Sequence, residues 1–239
     1  MKRQISIARD TVKDWAWALC VAFCVVSAGG FFGMGEASMG WICLGSVFLV
    51  SLPLLLERWL DLELQRGFFV FCLLYAMGPM LGKAYKLYYL TGWWDKLLHT
   101  SAGFLFAALG AWMATRLNRG QETSVPLQIL FGIFFSISVS ALWELVEFGV
   151  DRCFGADMQN DAIVYSIHSY LLGDAPGALF EIPQIQSVSV TGLPLEIGGY
   201  LDIGLIDTMG DVLVETLGAV AFGLWQWADR GRHPLIQAA

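Results

Sequence analysis

The run PLQILFGIFFSISVSALWELVEFGVD, residues 126–151, decides how this chain is read. Residues 127–150 are almost entirely apolar and match the roughly 20 helical residues that cross the hydrocarbon core of a bilayer. Yet Glu144, Glu147 and Asp151 stand toward its far end, where a lipid-facing segment should carry no acid. At about 100° per residue these three fall within about 60° of one another, and Ser140 and Ser136 extend the same stripe inward. Such a helix keeps its acids out of lipid by turning the stripe toward other helices.

The other helices are legible on either side. Apolar blocks at 15–35, 40–56, 67–85, 97–115 and 203–226 join the one at 127–150. The second is short, and Pro79 and Gly82 interrupt the third. The 239-residue chain is 56% hydrophobic and only 15% charged, whereas a soluble domain carries about 25% charged residues. The pattern predicts an all-α polytopic transmembrane bundle of about six spans, forming a single domain over 1–239. Short links join the first five spans, and 152–202 forms one long outer loop. Within that loop NDAIVYSIHSYLLG reads as an interfacial amphipathic helix, and SVSVTGLPLEI reads as a β-hairpin around Thr191-Gly192.

Orientation follows from the cations. With both termini cytoplasmic, the inner side holds Lys2, Arg3, Arg9, Lys13, Arg58, Arg66, Arg116, Arg119, Arg230 and Arg232. The outer side keeps Lys83, Lys86, Lys96 and Arg152, an asymmetry that obeys the positive-inside rule. Tryptophans follow it: Trp15, Trp17, Trp59, Trp225 and Trp227 fall near inner ends, and Trp41, Trp93 and Trp94 near outer ends. The basic start followed by an apolar run resembles a secretory signal, but the Gly-rich FFGMGE at its exit favours an uncleaved first span. A net charge of −7 argues against a nucleic-acid partner. Cys20, Cys24, Cys43 and Cys72 read as small apolar fillers, and Cys153 alone faces outside, so no disulfide framework is expected.

Two further spans carry polar stripes toward their outer ends. DKLLH gives Asp95, Lys96 and His99, and DTMGDVLVE gives Asp207, Asp211 and Glu215. Asp95 and His99 differ by about 40° around the helix, and the three acids of the last span drift about 80° over two turns. A charge near the bilayer centre costs at least about 2.5–3.5 kcal/mol on insertion scales, so stripes facing each other around water or a cation are favoured over separate exposure to lipid. Asp95 and Lys96 also suit helix capping and snorkelling at a helix start. Asp151 and Asp207 fall at headgroup level, where acids cost little.

The pattern DKLLHTSAGF, then WELVE, then DTMGDVLVETLGA resembles the VanZ-like and, more closely, the YjdF-like bacterial membrane proteins. Asp95, Lys96, His99 and Gly103 match the first element, Glu144 and Glu147 the second, and Asp207, Thr208, Asp211, Gly218 and Ala219 the third. VanZ-like sequences tend to carry Asn where this chain has Glu215. The resemblance covers about 95–219 and implies a protein of the bacterial cytoplasmic (inner) membrane, connected with glycopeptide-antibiotic tolerance at the cell surface.

The leading functional reading is a site on the outer face that binds or processes a lipid or lipid-linked envelope precursor, as a metal-dependent hydrolase or transferase. His99, Glu144, Glu147 and Asp211 are its catalytic candidates, with Asp95, Lys96 and Asp207 positioning substrate. Glu144, Glu147, Asp151 and Asp211, and less securely Glu215, would hold a divalent Mg, Mn or Zn ion. His99 or Glu147 would act as base. No HExxH or GxSxG signature is present. A non-catalytic envelope or antibiotic-tolerance factor is the second reading. A proton- or cation-coupled transporter is the third, disfavoured because the polar groups cluster at one side and carriers bind near the midplane.

Overall fold

The computed structural model describes residues 10–118 and 121–238. Lys2, Arg3, Arg9 and Arg119, four of the inner-side cations, lie outside them. Seven helices follow in order: α1 (Thr11–Gly33), α2 (Ala37–Trp59), α3 (Arg66–Ala84), α4 (Leu87–Leu90), α5 (Trp94–Leu117), α6 (Val125–Phe154) and α7 (Leu205–Asp229). Five of them, α1, α2, α3, α5 and α6, are long and apolar enough to cross a membrane. α7 has the length but carries Asp207, Asp211 and Glu215, and it is not among the five. α3 runs unbroken through Pro79 and Gly82, the two residues that interrupt its apolar block.

The chain divides into two compact units, Met1–Ser140 with Val214–Ala239, and Ala141–Leu213. In the first unit the helix ends are tied by polar contacts. Asp10 caps α1 by accepting from the Val12 amide (3.1 Å) and also takes the Arg66 guanidinium (2.8 Å), which holds its carboxyl below the ordinary range. Lys13, 5% exposed, reaches Glu57 at the far end of α2 at 2.7 Å, and the Leu64 amide donates to the same carboxylate at 2.8 Å. α1 and α2 are therefore antiparallel. Ser27 on α1 bonds Tyr85, just past α3, at 2.7 Å, so α1 and α3 run the same way. Between them Cys24, Cys43, Phe69, Leu73 and Met80 form a closed apolar core. Cys24, Cys43 and Cys72 are buried free thiols, as the filler reading expects. The α2–α3 link forms β1 (Leu62–Leu64), which pairs antiparallel with β8 (Ile236–Ala238) from the C-terminal end.

α5 is the hub of this unit because its buried face is built of small residues: Ala102, Gly103, Ala107, Ala108, Gly110 and Ala111. Small side chains let helix backbones approach closely. A Cβ on Gly103 would overlap the Glu215 carbonyl, and one on Gly218 would overlap the Thr100 carbonyl, so α5 and α7 meet backbone to backbone through a reciprocal glycine pair. Gly110 faces Gly132 of α6 in the same manner, its Cβ position lying 2.9 Å from the Gly132 Cα.

The second unit holds the long loop as a set of short antiparallel pairs. β2 (Ala162–Val164) pairs with β7 (Tyr200–Asp202) and so closes the base of the loop. β3 (Ile167–Ser169) pairs with β4 (Phe180–Ile182), and β5 (Val188–Val190) with β6 (Leu193–Leu195). The last pair is the expected hairpin: Thr191 and Gly192 both have positive φ (52° and 83°), the two-residue type I′ turn that matches strand twist. The expected helix over NDAIVYSIHSYLLG is overturned. Its AIV and IHS segments are strands, whose β-branched, alternating residues find backbone partners at 200–202 and 180–182.

Candidate functional site

α5 begins at Trp94 with no side-chain cap, so Asp95 does not serve as one. Trp94 instead anchors the helix by donating from Nε1 to the Gly78 carbonyl of α3 at 3.2 Å. This fixes the first turn, and His99 follows one turn inward, 7% exposed. Its Nε2 lies 3.8 Å from Asp95 Oδ1 and its Nδ1 lies 3.7 Å from Glu215 Oε2 of α7. The imidazole therefore stands between two carboxylates, one facing each ring nitrogen. Lys96 Nζ is 3.6 Å from the other oxygen of Asp95. Glu215 is 2% exposed, and its Oε1 faces the Ser136 hydroxyl at 3.5 Å. Ser136, fully buried on α6, donates at 3.1 Å to the carbonyl of Gly103, the residue whose missing side chain lets Glu215 come this close.

Ser136, Ser140, Glu144 and Glu147 of the α6 stripe are buried as their spacing predicted, Asp151 at its end is only half-buried, and Leu142, Trp143, Leu145 and Val146 between them are exposed. Glu147 accepts the Trp143 indole N–H at 2.7 Å. On α7 the buried face runs through Asp211, Glu215, Gly218, Ala219 and Phe222 at three- and four-residue spacing, and Asp211 is fully buried.

Asp151 and Asp207 have structural partners in the second unit. Asp151 accepts the Met158 and Gln159 amides, one on each oxygen, at 2.7 and 2.9 Å. Asp207 takes the Asn160 amide at 2.9 Å and its side-chain N–H at 3.2 Å. Gln159 bonds Thr208, so 158–160 is pinned to the start of α7 from several directions. Both acids thus order the entry to the loop.

Of the sequence candidates in the first unit, Asp95, His99 and Glu215 come together. Glu215 carries more of the site than its sequence context suggested, and Ser136 supplies a donor that the sequence marked only as the inner end of a stripe. The signal for both lay in the Gly103 and Gly218 positions, which permit the close approach. Both separations are longer than a hydrogen bond, and a carboxylate near each nitrogen favours the protonated imidazole by charge. Alternatively, one carboxylate orients the ring while the other nitrogen binds a ligand.

Five membrane-length apolar helices and a buried polar array define a polytopic helical membrane protein. Within that class, the chain belongs to the family described as "Predicted membrane protein (DUF2238)", which matches residues 15–232. No curated protein and no solved structure matches it.

Proposed function

We propose that the chain is an integral protein of a bacterial cytoplasmic membrane in which His99 is the acid–base group of an outward-facing site for a lipid or lipid-linked envelope precursor. The observation that carries this reading is the buried imidazole with Glu215 and Asp95 at 3.7 and 3.8 Å from its two nitrogens. A neutral imidazole donates from one nitrogen only. A protonated ring would present a donor to both carboxylates, and that exchangeable proton is what an acid–base group needs.

Sidedness is supported within the first unit. Lys13, Arg58, Arg66, Arg116, Arg230 and Arg232 gather at the end that carries β1 and β8, and Lys83, Lys86 and Lys96 lie at the end that carries His99. The cation-rich end is cytoplasmic by the positive-inside rule. β1 pairs with β8 and Gln226 bonds Gln128, so the path from α3 onward leaves and returns at one end. α3, α5 and α6 make three passes, and α7 supplies the fourth, giving six spans. The likeness of DKLLH, WELVE and DTMGDVLVE to VanZ-like and YjdF-like proteins favours an envelope role.

A metal-assisted version is favoured by one observation: a carboxylate stands near each ring nitrogen. In metal-binding histidines the nitrogen away from the ion donates to such a carboxylate. His99 Nε2 with Asp95 would hold a Mg, Mn or Zn ion while Glu215 fixes the ring. Two ligand atoms about 2.1 Å from one ion at a tetrahedral angle lie about 3.4 Å apart, so the observed 3.8 Å needs only a small side-chain adjustment.

The test compares lipid extracts of cells expressing wild type, His99→Gln and Glu215→Gln at equal protein level. A lipid species changed by wild type and unchanged by both variants supports the reading. A change that survives in both variants contradicts it. Metal content of the purified proteins decides the second version: Glu215→Gln should lose about 10-fold or more in affinity, and unchanged content in wild type and variant excludes this site as its holder.

A further inference from the structure

Within the second unit the long loop stands directly on a helix end. Asp202, the last residue of β7, accepts the Ile206 amide at 2.9 Å in the first turn of α7, and β7 pairs with β2. β3 begins at Ile167, three residues past Val164, which is at most about 10 Å of chain. Between them the chain bends at Tyr165, whose carbonyl takes the Ile185 amide at 2.8 Å from the returning side. The β3–β4 hairpin therefore lies across the direction of the β2–β7 pair and stays close to the helix ends.

This hairpin has two unlike faces. Residues opposite one another in an antiparallel pair point to the same side. His168 and Glu181 are opposite, with Nε2 and Oε1 3.3 Å apart, and make one face charged. Ile167 with Ile182, and Ser169 with Phe180, make the other face apolar. The tip adds Leu171, 92% exposed, with Leu172 and Leu179 also exposed. That turn is closed by backbone: the Ala178 amide donates to the Ala175 carbonyl at 3.0 Å, and a Cβ on Gly173 would overlap the Ala178 carbonyl. The backbone fills the inside of the turn and leaves the leucines outside. From Ser169 to Phe180 there is one acid, Asp174, and no base.

An exposed apolar patch of this kind marks a contact surface, and the apolar phase beside it is already defined. In the same unit, exposed Phe148 and Phe154 carry the lipid-facing surface of α6 to its last residue. We propose that the β3–β4 hairpin lies on the bilayer leaflet in which α6 ends, with Ile167, Leu171, Phe180 and Ile182 in the interfacial zone and the His168–Glu181 pair toward water. Its hold is apolar burial at the headgroup boundary, since the tip has no base to pair with lipid phosphate. Exposed Tyr170 at the neck is a residue type that this boundary favours. The hairpin is then a strap that keeps the loop on the membrane surface beside the ends of α6 and α7. The proposal is independent of the chemistry at His99 and of which leaflet is the outer one.

The experiment places the fluorophore NBD on single introduced cysteines in the purified full-length protein, one copy per phosphatidylcholine nanodisc. Cys153→Ser removes the exposed thiol, and that parent, treated with the same reagent, sets the baseline. Leu171→Cys and Phe180→Cys report the apolar side and His168→Cys the charged face, all three at exposed positions. NBD at 171 and 180 should emit to the blue of NBD at 168 and be quenched by lipid carrying a nitroxide near its headgroup. NBD at 168 should instead be quenched by iodide in the water. Iodide quenching at 171 and 180 as strong as at 168 overturns the proposal, because the hairpin then stands in water. Blue-shifted emission at 171 and 180 without quenching by nitroxide lipid also overturns it and makes the cover a protein surface. Nitroxide quenching as strong at 168 as at 171 and 180 overturns the two-faced arrangement.

Discussion

Gly103→Ala is the sharpest perturbation of the helix contact that assembles the buried array. A Cβ at that position would sit 2.8 Å from the Glu215 carbonyl carbon and 3.0 Å from the Ala219 amide nitrogen, and would overlap the Glu215 carbonyl oxygen. Ordinary carbon contacts begin at about 3.4 Å, so clearing the carbonyl carbon alone needs a shift of about 0.6 Å and clearing the oxygen needs more. The obstacle is backbone on α7, which cannot rotate away as a side chain does. Overpacking of this kind costs about 1–3 kcal/mol, and it opens α5 from α7 beside His99 and Glu215, which are 3.7 Å apart. Gly45→Ala is the control: a Cβ there meets nothing within 4 Å on α2, and a helical Gly→Ala change in open space is neutral or stabilising by up to about 1 kcal/mol. SDS-titrated unfolding of the two variants in mixed micelles measures both. Gly103→Ala should unfold at clearly lower SDS than wild type, and Gly45→Ala at equal or higher SDS. Equal midpoints for Gly103→Ala and wild type would refute the glycine-mediated approach of α5 to α7.

Lys13→Met leaves Glu57 beside the core without its partner and should cost about 3–5 kcal/mol in the same unfolding assay, because breaking a buried pair strands a charge. Asp10 gives a pH signature: its carboxyl is held below 3.8, chiefly by the Arg66 hydrogen bond. A depressed acid contributes stability above its unfolded value and loses it as pH falls through the folded one. The stability difference between wild type and Arg66→Gln should therefore be complete above pH 3.8 and shrink below it, and a difference that grew on acidification would contradict the pair. Asp151→Ala frees the Met158 and Gln159 amides; limited proteolysis should then cut near 155–160 faster than in wild type, with the helical core intact.

Much of this architecture was legible because two of its causes are local in sequence. Hydropathy over about 20 residues located the long helices, and three- and four-residue spacing placed Ser136, Ser140, Glu144 and Glu147 on one buried face of α6. Contacts between distant residues were not legible. Glu215 gains its place from Gly103, more than 100 positions earlier in the chain, and no window of α7 alone shows that. Residues 162–169 alternate enough to suit either an interfacial helix or a strand, and their partners at 180–182 and 200–202 settled the matter. Asp151 and Asp207 looked like members of a charge stripe because their neighbours on the helix are acids. Their partners are backbone amides of the intervening loop, whose path the sequence does not reveal.

The central claim is that the two ring nitrogens of His99 face different carboxylates on different helices. Solid-state ¹⁵N NMR of the histidine-labelled protein in lipid bilayers tests it directly. A background with His168→Gln and His233→Gln, both at exposed positions, leaves His99 as the single imidazole signal. Glu215→Gln should move the Nδ1 resonance most, and Asp95→Asn should move the Nε2 resonance most. Spectra in which neither substitution moves a ring nitrogen, or in which both move the same one, would contradict the array.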